Sequence, residues 1–395
     1  MKKIIGMLCL CALAGVCAQA QRISPVAGTQ PADYSWHCKQ QFPSGQPAQK
    51  TVVPNELDVR SCDVSGWDFT SYTADELADV LTFDSRTQFP PANKLPKGFP
   101  PKNILKQNQN PGLGVRALHK KGITGKGVSV AIIDQSLLLN HEQYADRIQY
   151  YWQDSIYQDS NASMHGAAVA SILAGQTVGV APQANIYYWA GKFEVEERVF
   201  NAGPIVDTLQ RILNMSERFP AEQKIRVVSI SRGFDESDKG TDKFEEVLSY
   251  LKAHNIAVFT TNDVMTISRN HSLSLADGTN YCRPAYWFDK ENLNFYNQMP
   301  DPLVPTDFRV TAAPNGVRDY VHYAHGGLSW AVPYLAGLYA LGVQVYPGLT
   351  KDIFMQAVRE TADSYPCNWQ GETFTVRYRV NPTSLMERLR QLNKN

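Results

Sequence analysis

The feature that most constrains the fold is an alternation of short apolar runs and amphipathic segments that begins near residue 112. Residues 128–133 form a nearly unbroken apolar run, as expected for a strand buried on both faces. Residues 205–219 have the pattern of a helix, and residues 225–230 that of the strand after it. Alternating strands and helices are typical of a mostly parallel sheet with helices on both faces. We therefore predict a three-layer α/β fold.

A second helix and strand extend this pattern and bring two polar side chains to one edge of the predicted sheet. Apolar residues at helical spacing over 244–251 are followed by a strand pattern over 256–260. Asp134 and Asn262 each come directly after a predicted strand. In parallel sheets, reactive groups gather beyond the carboxyl ends of the strands. These two side chains are therefore candidates for a common site.

A histidine and a serine each open an apolar helix. His165-Gly166 precedes one such run, and Ser329 precedes a longer run that continues through Leu341. A serine hydroxyl becomes a good nucleophile when a base takes its proton, and histidine titrates near neutral pH. An aspartate such as Asp134 can hold that histidine in the required tautomer. The pattern therefore favours acyl transfer through Asp134, His165 and Ser329.

These segments, in this order, resemble the motifs of the subtilisin-like (subtilase) serine protease family over about residues 112–390. Asp134 matches the strand-end aspartate and His165 the histidine of its His-Gly motif. The segment Gly327-Leu-Ser-Trp-Ala-Val-Pro333 is similar to the family's Gly-Thr-Ser-Met-Ala-x-Pro around the nucleophile. The resemblance implies a subtilisin-like three-layer fold, a catalytic triad and a protein or peptide substrate.

The same resemblance assigns residues around the scissile bond. Asn262 aligns with the asparagine that stabilises the oxyanion, and Ser231-Arg232-Gly233 with the Ser-Leu-Gly edge of the primary specificity pocket. Arg232 replaces an apolar residue there. It points either to acidic or polar substrate side chains or to a guanidinium that is solvated outside the pocket.

Five residues beside the triad depart from the family's pattern. Gln135-Ser136 follow the aspartate where serine or threonine and then glycine are usual, Ala167 replaces a threonine, and Leu328 and Trp330 flank the serine in place of threonine and methionine. None of these changes removes a reactive atom. They do alter the packing and hydrogen bonding around the triad, so that turnover and pH optimum are expected to differ.

The segments before the catalytic domain are of another kind. Residues 1–20 have the basic start, apolar run and small-residue cleavage site of a signal peptide. Residues 21–110 are rich in Pro, Gln and Asn and are predicted to be an extension, either a propeptide that is removed or a segment that stays attached; residues 111–395 form the catalytic domain. Asp58-Val59, Asp63-Val64 and Asp68-Phe69 recur every five residues, which predicts a short turn-rich segment packed on that domain.

Cysteine usage agrees with an exported protein. Cys9, Cys11 and Cys17 fall in the predicted leader, which leaves Cys38, Cys62, Cys282 and Cys367. An even number in an exported chain predicts two disulfides, with three possible connectivities. Of these we favour Cys38 with Cys62 and Cys282 with Cys367.

Charge and composition exclude several classes of function. The chain has 38 basic and 38 acidic residues, which argues against a nucleic-acid partner. No segment after the leader is judged long and apolar enough to span a membrane. The sequence predicts no cofactor and no metal site: relatives often bind structural calcium, but no acidic loop here is specific enough to assign. We expect a monomer that is secreted or periplasmic.

The sequence thus predicts a secreted serine endopeptidase that acts through an acyl-enzyme on Ser329. Two alternatives stay open. One is a non-catalytic peptide-binding protein on the same scaffold, suggested by the unusual neighbours of the triad. The other is a processing protease with one narrow peptide substrate.

Overall fold

A computed structural model describes residues 30–34, 37–38, 56–157, 160–196, 199–269, 281–283, 300–369 and 371–394. Nine α-helices lie within these ranges: α1 Ala74–Val80, α2 Pro101–Gln107, α3 Val115–Lys120, α4 Met164–Ala174, α5 Gly203–Glu217, α6 Thr241–Ala253, α7 Leu328–Val345, α8 Lys351–Thr361 and α9 Pro382–Leu392. The strands of the same ranges are β1 Leu57–Asp58, β2 Leu81–Asp84, β3 Ser129–Asp134, β4 Ile148–Gln153, β5 Asn185–Ala190, β6 Glu194–Glu196, β7 Val199–Asn201, β8 Ile225–Ile230, β9 Ala257–Phe259, β10 Met265–Arg269, β11 Tyr281–Arg283, β12 Leu303–Pro305, β13 Arg309–Ala312, β14 Tyr320–Tyr323, β15 Asp363–Trp369 and β16 Glu372–Arg379.

The central sheet is parallel throughout and has the strand order β4-β5-β3-β8-β9. Every residue of its middle strand, β3, is buried. Successive side chains of a strand point to opposite faces. Accordingly, Val130 and Ile132 join the core that contains α4 and α7, whereas Ala131 and Ile133 join the core that contains α5 and α6. The predicted α/β class, with a mostly parallel sheet between two helical layers, is confirmed.

Helix α7, which begins at Leu328, is apolar on all sides because it is surrounded by protein. It has 18 residues and is the one described helix long and apolar enough to cross a membrane, which corrects our expectation that no later segment would be. However, 78% of it is buried inside the protein. Its composition is therefore that of a core helix, which holds the segment around Ser329 against the central sheet.

The described part of the extension is joined to the predicted catalytic domain through a second sheet, with the strand order β1-β2-β14-β13. Strand β2 pairs antiparallel with β14, where Phe83 lies opposite His322. The amide of Ala324 also donates to the hydroxyl of Thr82 at 3.0 Å. A core of its own, centred on residues such as Leu77 and Phe83, lies beneath this sheet and includes Phe308 of the catalytic domain.

The five-residue repeat of the extension has a regular structure. The carboxylates of Asp58, Asp63 and Asp68 each accept from the backbone N–H two residues later, at 3.1, 3.0 and 2.9 Å. The apolar residues after them are fully buried, at Val59, Val64 and Phe69. Each amide of these three donates to a carbonyl of the segment 82–94. The repeat therefore forms three similar turns that pack on the rest of the extension.

One of the two favoured cysteine pairs, Cys38 with Cys62, lies within the described residues. Cys38 and Cys62 are free thiols in this structure, and their side chains pack in the same small core. The favoured bond between them is thus absent here although the two side chains are adjacent. The other pairing involves Cys282, whose side chain lies outside the described residues, as does the whole predicted signal peptide.

Candidate active site

Asp134 and His165 form a hydrogen-bonded pair at the carboxyl edge of the central sheet. Asp134 ends β3, His165 is the second residue of α4, and the imidazole Nδ1 lies 2.6 Å from the aspartate Oδ1. The N-cap of α4 fixes the backbone here, because Ser163 Oγ accepts from the N–H of His165 at 3.0 Å. Asp134 Oδ1 also accepts from the amide of Gln135 at 2.8 Å. The carboxylate is thus held in position to orient the imidazole.

The electrostatics of this pair favour a basic imidazole. Burial of His165 disfavours its charged form, but the charge of Asp134 and the hydrogen bond to it outweigh burial, so the pKa of His165 is raised above 6.5. The side chain of Asp134 is almost wholly buried, whereas that of His165 is 22% exposed. One face of the base is therefore open toward solvent.

Ser329 lies at the N-terminus of α7, as its second residue. Its Oγ donates to the backbone oxygen of Ser231 at 3.4 Å, and Ser231 Oγ donates to the carbonyl of Ser329 at 2.9 Å. Both Ser329 and His165 belong to the described residues, and no hydrogen bond joins their side chains in this arrangement. The structure thus brings Asp134 and His165 into contact and leaves Ser329 bound to the neighbouring strand end.

Asn262 follows β9 in a short 3-10 turn over Thr261–Asp263. Its amide nitrogen donates to the carbonyl of Phe234 at 2.5 Å. A side-chain amide has two N–H donors, so this contact leaves one of them for another acceptor. The predicted role at the oxyanion stays a prediction, with one donor already engaged.

The predicted pocket edge at 231–233 is closely bound to the segment of Asn262. The amide of Thr261 donates to the carbonyl of Arg232 at 3.1 Å. A Cβ on Gly233 would lie 2.6 Å from the Asn262 side-chain oxygen and 2.7 Å from the Thr261 hydroxyl. Arg232 stacks over the ring of Phe200 at 4.0 Å. Its Nη2 atom also lies 3.8 Å from Asp238 Oδ1, so the guanidinium has partners within the protein, and its role toward substrate stays a prediction.

The residues that depart from the family's pattern form contacts of their own. Gln135 accepts through its side-chain oxygen from Ser163 Oγ at 2.5 Å, which links the aspartate's neighbour to the cap of α4. The Trp330 ring lies 5.3 Å from the His165 ring, centroid to centroid. Sequence reasoning identified both residues as unusual but not their contacts, because spacing along the chain does not reveal which side chains meet.

One buried residue beside the site was missed altogether. Asp307 accepts from the amide of Gly326 at 2.7 Å, three residues before Ser329. Burial raises the pKa of this carboxyl to about 6, against the opposing effect of that hydrogen bond. A lone aspartate between Thr306 and Phe308 carries no motif that could have indicated it.

A family model supports the resemblance over the first part of the site. Residues 125–283 match the model of the subtilase family. This segment contains Asp134, His165, Asn262 and residues 231–233 but ends before Ser329. The assignment of Ser329 rests on the resemblance of its own motif.

Two curated proteins to which the chain is similar are proteases by name. Subtilisin-like protease PopC of Myxococcus xanthus (strain DK1622) is 28% identical over 132 residues, which are 31% of this chain and 28% of PopC. Subtilisin-like protease 7 of Arthroderma otae (strain ATCC MYA-4605 / CBS 113480) is 24% identical over 243 residues, 60% of this chain and 58% of that protein. The matches thus span less than two thirds of either relative.

Two solved structures are similar in fold to parts of the chain. The prenylagaramide maturation protease PagA has a TM-score of 0.48 at 19% identity, over 70% of this chain and 98% of its own. A cold adapted subtilisin-like serine proteinase has a TM-score of 0.40 at 17% identity, over 60% of this chain and 83% of its own.

Proposed function

We propose that the protein is a serine endopeptidase that hydrolyses peptide bonds through an acyl-enzyme on Ser329. The observation that carries the proposal is the 2.6 Å contact between Asp134 and His165, with Ser329 at the N-terminus of the adjacent core helix. The subtilase sequence of residues 125–283 supports a protease of this class.

The proposed reaction has two halves, formation of the acyl-enzyme and its hydrolysis, and the same groups act in both. Ser329 Oγ attacks the scissile carbonyl while the His165 Nε2 atom takes the hydroxyl proton. The carbon–nitrogen bond then breaks, and the same proton passes to the leaving amine. Water repeats the sequence on the ester and restores free Ser329. Asp134 keeps the imidazole in the tautomer that these proton transfers require, and it stabilises the charged form of the ring.

The oxyanion is proposed to bind the backbone N–H of Ser329 and the second N–H of Asn262. First-turn amides of a helix have no partner within that helix, and the positive end of its dipole lies there. Such preorganised donors stabilise charge that develops in the transition state.

Attack requires one rotation about the side chain of Ser329. Its Oγ has to leave the carbonyl of Ser231 and turn toward His165. The bond that is given up is long, at 3.4 Å, so the rotation costs little. Catalytic hydrogen bonds are often loose in the absence of substrate and tighten when it binds.

A fluorophosphonate probe tests this proposal directly. Purified full-length protein should be labelled on Ser329, and Ser329→Ala should abolish labelling. Ser249→Ala is the matched control, because Ser249 is exposed on α6 and its hydroxyl donates to the carbonyl of Glu245. A folded wild-type protein that is not labelled overturns the proposal and leaves the peptide-binding alternative.

The residues beside the triad that depart from the family's pattern favour a narrow substrate range. Because they include Gln135, Ala167, Leu328 and Trp330, we favour the cleavage of a defined peptide over general digestion. Equal rates on casein and on a panel of defined peptides would contradict this choice.

Export and disulfide formation belong to the same proposal. N-terminal sequencing of the protein from culture medium or periplasm should give Gln21 as the first residue. The adjacent thiols of Cys38 and Cys62 should form a bond in that compartment. Mass spectrometry of non-reduced peptides would detect it, and alkylation of both thiols in the exported protein would argue against it.

A further inference from the structure

Trp330 stands between the proposed catalytic base and the sheet that joins the extension. Its ring lies 5.3 Å from that of His165 and 5.4 Å from that of Tyr323, in an edge-to-face contact with the latter. The indole is 5% exposed. Gly326 makes room for it, since a Cβ at that position would lie 2.6 Å from Trp330 Cδ1.

Tyr323 is in turn held by a charged residue of the extension. The guanidinium of Arg60 lies 5.5 Å from the centre of the Tyr323 ring, and its Nη1 is 3.4 Å from the hydroxyl. Arg60 itself is fixed by Asp58 through two contacts of 2.9 and 2.5 Å. Its guanidinium also packs at 5.2 Å over the ring of Tyr34. A continuous chain of contacts thus runs from the extension to His165.

A second contact of the extension is made beside the start of α4, the helix that carries His165. The amide of Ala162 donates to the carbonyl of Gln30 at 2.8 Å. The next residue, Ser163, caps α4 through the amide of His165. Two separate parts of the extension therefore adjoin the backbone and the ring of His165.

We propose that Trp330 is a positioning residue for His165, and that Arg60 of the extension holds Trp330 in place through Tyr323. The imidazole is fixed by one bond, from Nδ1 to Asp134, about which the ring can tilt. Packing of the indole against the imidazole restricts that tilt and keeps Nε2 in the direction of the substrate. This role rests on the proposed function, since it concerns the base of that reaction.

The proposal makes the extension a working part of the enzyme. Removal of the segment that contains Arg60 would leave Tyr323 without its partner and loosen the packing on Trp330. We therefore expect the active form to retain this segment.

Four single variants of the full chain test the role of Trp330: Trp330→Leu, Trp330→Phe, Tyr323→Leu and Phe99→Leu. Trp330→Leu should lower kcat about tenfold with KM within about twofold, since an aromatic contact of this kind is worth roughly one power of ten. Trp330→Phe restores a ring and should recover most of the rate. Phe99→Leu is the control, because Phe99 is buried in the extension's own core and packs on Phe83.

A double-mutant cycle tests the role of Arg60. Arg60→Met should lower kcat severalfold in the wild-type background and have no further effect in Trp330→Leu, because both changes disturb the same ring. If the two changes lower kcat independently, so that the double variant shows the product of the two single losses, the link between Arg60 and Trp330 is overturned. If Arg60→Met does not fold, Tyr323→Leu takes its place in the cycle.

An NMR titration separates this proposal from the proposed function. Burial lowers the pKa of His165 and Asp134 raises it, so Trp330→Leu, which admits water and keeps the carboxylate, should move the pKa upward. This shift is measurable in Ser329→Ala protein as well. If the wild type is inactive and Trp330→Leu still shifts the pKa of His165, only the proposed protease activity is contradicted. If the wild type is active and Trp330→Leu changes neither that pKa nor kcat, the positioning role is overturned.

Discussion

Ser231 and Ser329 are joined by two hydrogen bonds, one from each hydroxyl to the backbone oxygen of the other residue. The shorter bond, 2.9 Å from Ser231 Oγ, fixes the peptide unit that contains the proposed nucleophile. The edge of the predicted pocket and the start of α7 are therefore one connected unit. A change at Ser231 should be felt at Ser329.

Removal of the Ser231 hydroxyl tests this connection. Ser231→Ala deletes a bond worth about 1 kcal/mol and should slow fluorophosphonate labelling about fivefold. Labelling rates measured beside Ser249→Ala give the comparison. A rate equal to that of the control would mean that the bond has no part in holding the nucleophile.

Asn262 is expected to contribute mainly in the transition state. Asn262→Ala should lower kcat by about 100- to 1,000-fold, because one oxyanion donor is lost, and leave KM almost unchanged. Steady-state kinetics on a cleavable peptide measures both constants. The exposed Asn103→Ala serves as control, and a kcat near wild type in Asn262→Ala would remove Asn262 from the oxyanion site.

The pKa of His165 gives a prediction for activity and another for stability. Because the pKa of His165 is raised above 6.5, the base becomes protonated already at a pH above 6.5. As the solution is made more acidic, kcat/KM should therefore begin to fall before pH 6.5 is reached. The stability that the raised pKa contributes is present below 6.5 and is lost as pH rises through the folded value. Asp134→Asn removes the cause and should lower kcat by about 10,000-fold.

Rate profiles and urea unfolding check these two effects of Asp134→Asn. The loss in unfolding free energy, relative to wild type, should be larger at pH 5 than at pH 8. An equal loss at both values would show that the carboxylate does not raise the pKa of His165.

Asp307 gives a further stability prediction that depends on pH. Its folded pKa of about 6 lies above the ordinary 3.8, so its contribution is present below 3.8 and lost as pH rises through 6. Asp307→Asn cannot ionise and should gain about 2 to 3 kcal/mol relative to wild type between pH 4 and pH 7. Urea unfolding at the two pH values measures the difference, and a constant offset between the proteins would refute the assignment.

Gly326 has no space for a side chain. A Cβ there would lie 2.2 Å from the carbonyl oxygen of Thr306 as well as against Trp330. Gly326→Ala should therefore cost about 1 to 3 kcal/mol in stability and most of the activity. Thermal unfolding and labelling test both effects. Gly66→Ala is the control, since nothing lies within 4 Å of its added Cβ.

The sequence predicted those features that depend on a local pattern. The apolar run at 128–133 predicted β3 because a strand buried on both faces cannot carry polar residues. The helix that opens at His165 and the long one at Ser329 were likewise visible from their apolar stretches. The subtilase motifs then assigned roles that no single motif could have given.

The features that it did not predict depend on which distant residues meet. The pairing of β2 with β14 joins a proline-rich extension to the catalytic domain, and nothing in either segment's spacing indicates the other. The same holds for Arg60 and Tyr323. The sequence predicted that the run of α7 continues through Leu341, whereas the helix ends at Val345, and these last residues give it the length of a membrane-spanning segment.

The pairing of Phe83 with His322 joins two strands that most of the chain separates. Contacts between residues so far apart in sequence slow folding, because the chain between them has to be closed into a loop first. Strand β14 ends a few residues before Ser329. During synthesis the extension therefore cannot complete its sheet until the segment just before the proposed nucleophile has been made.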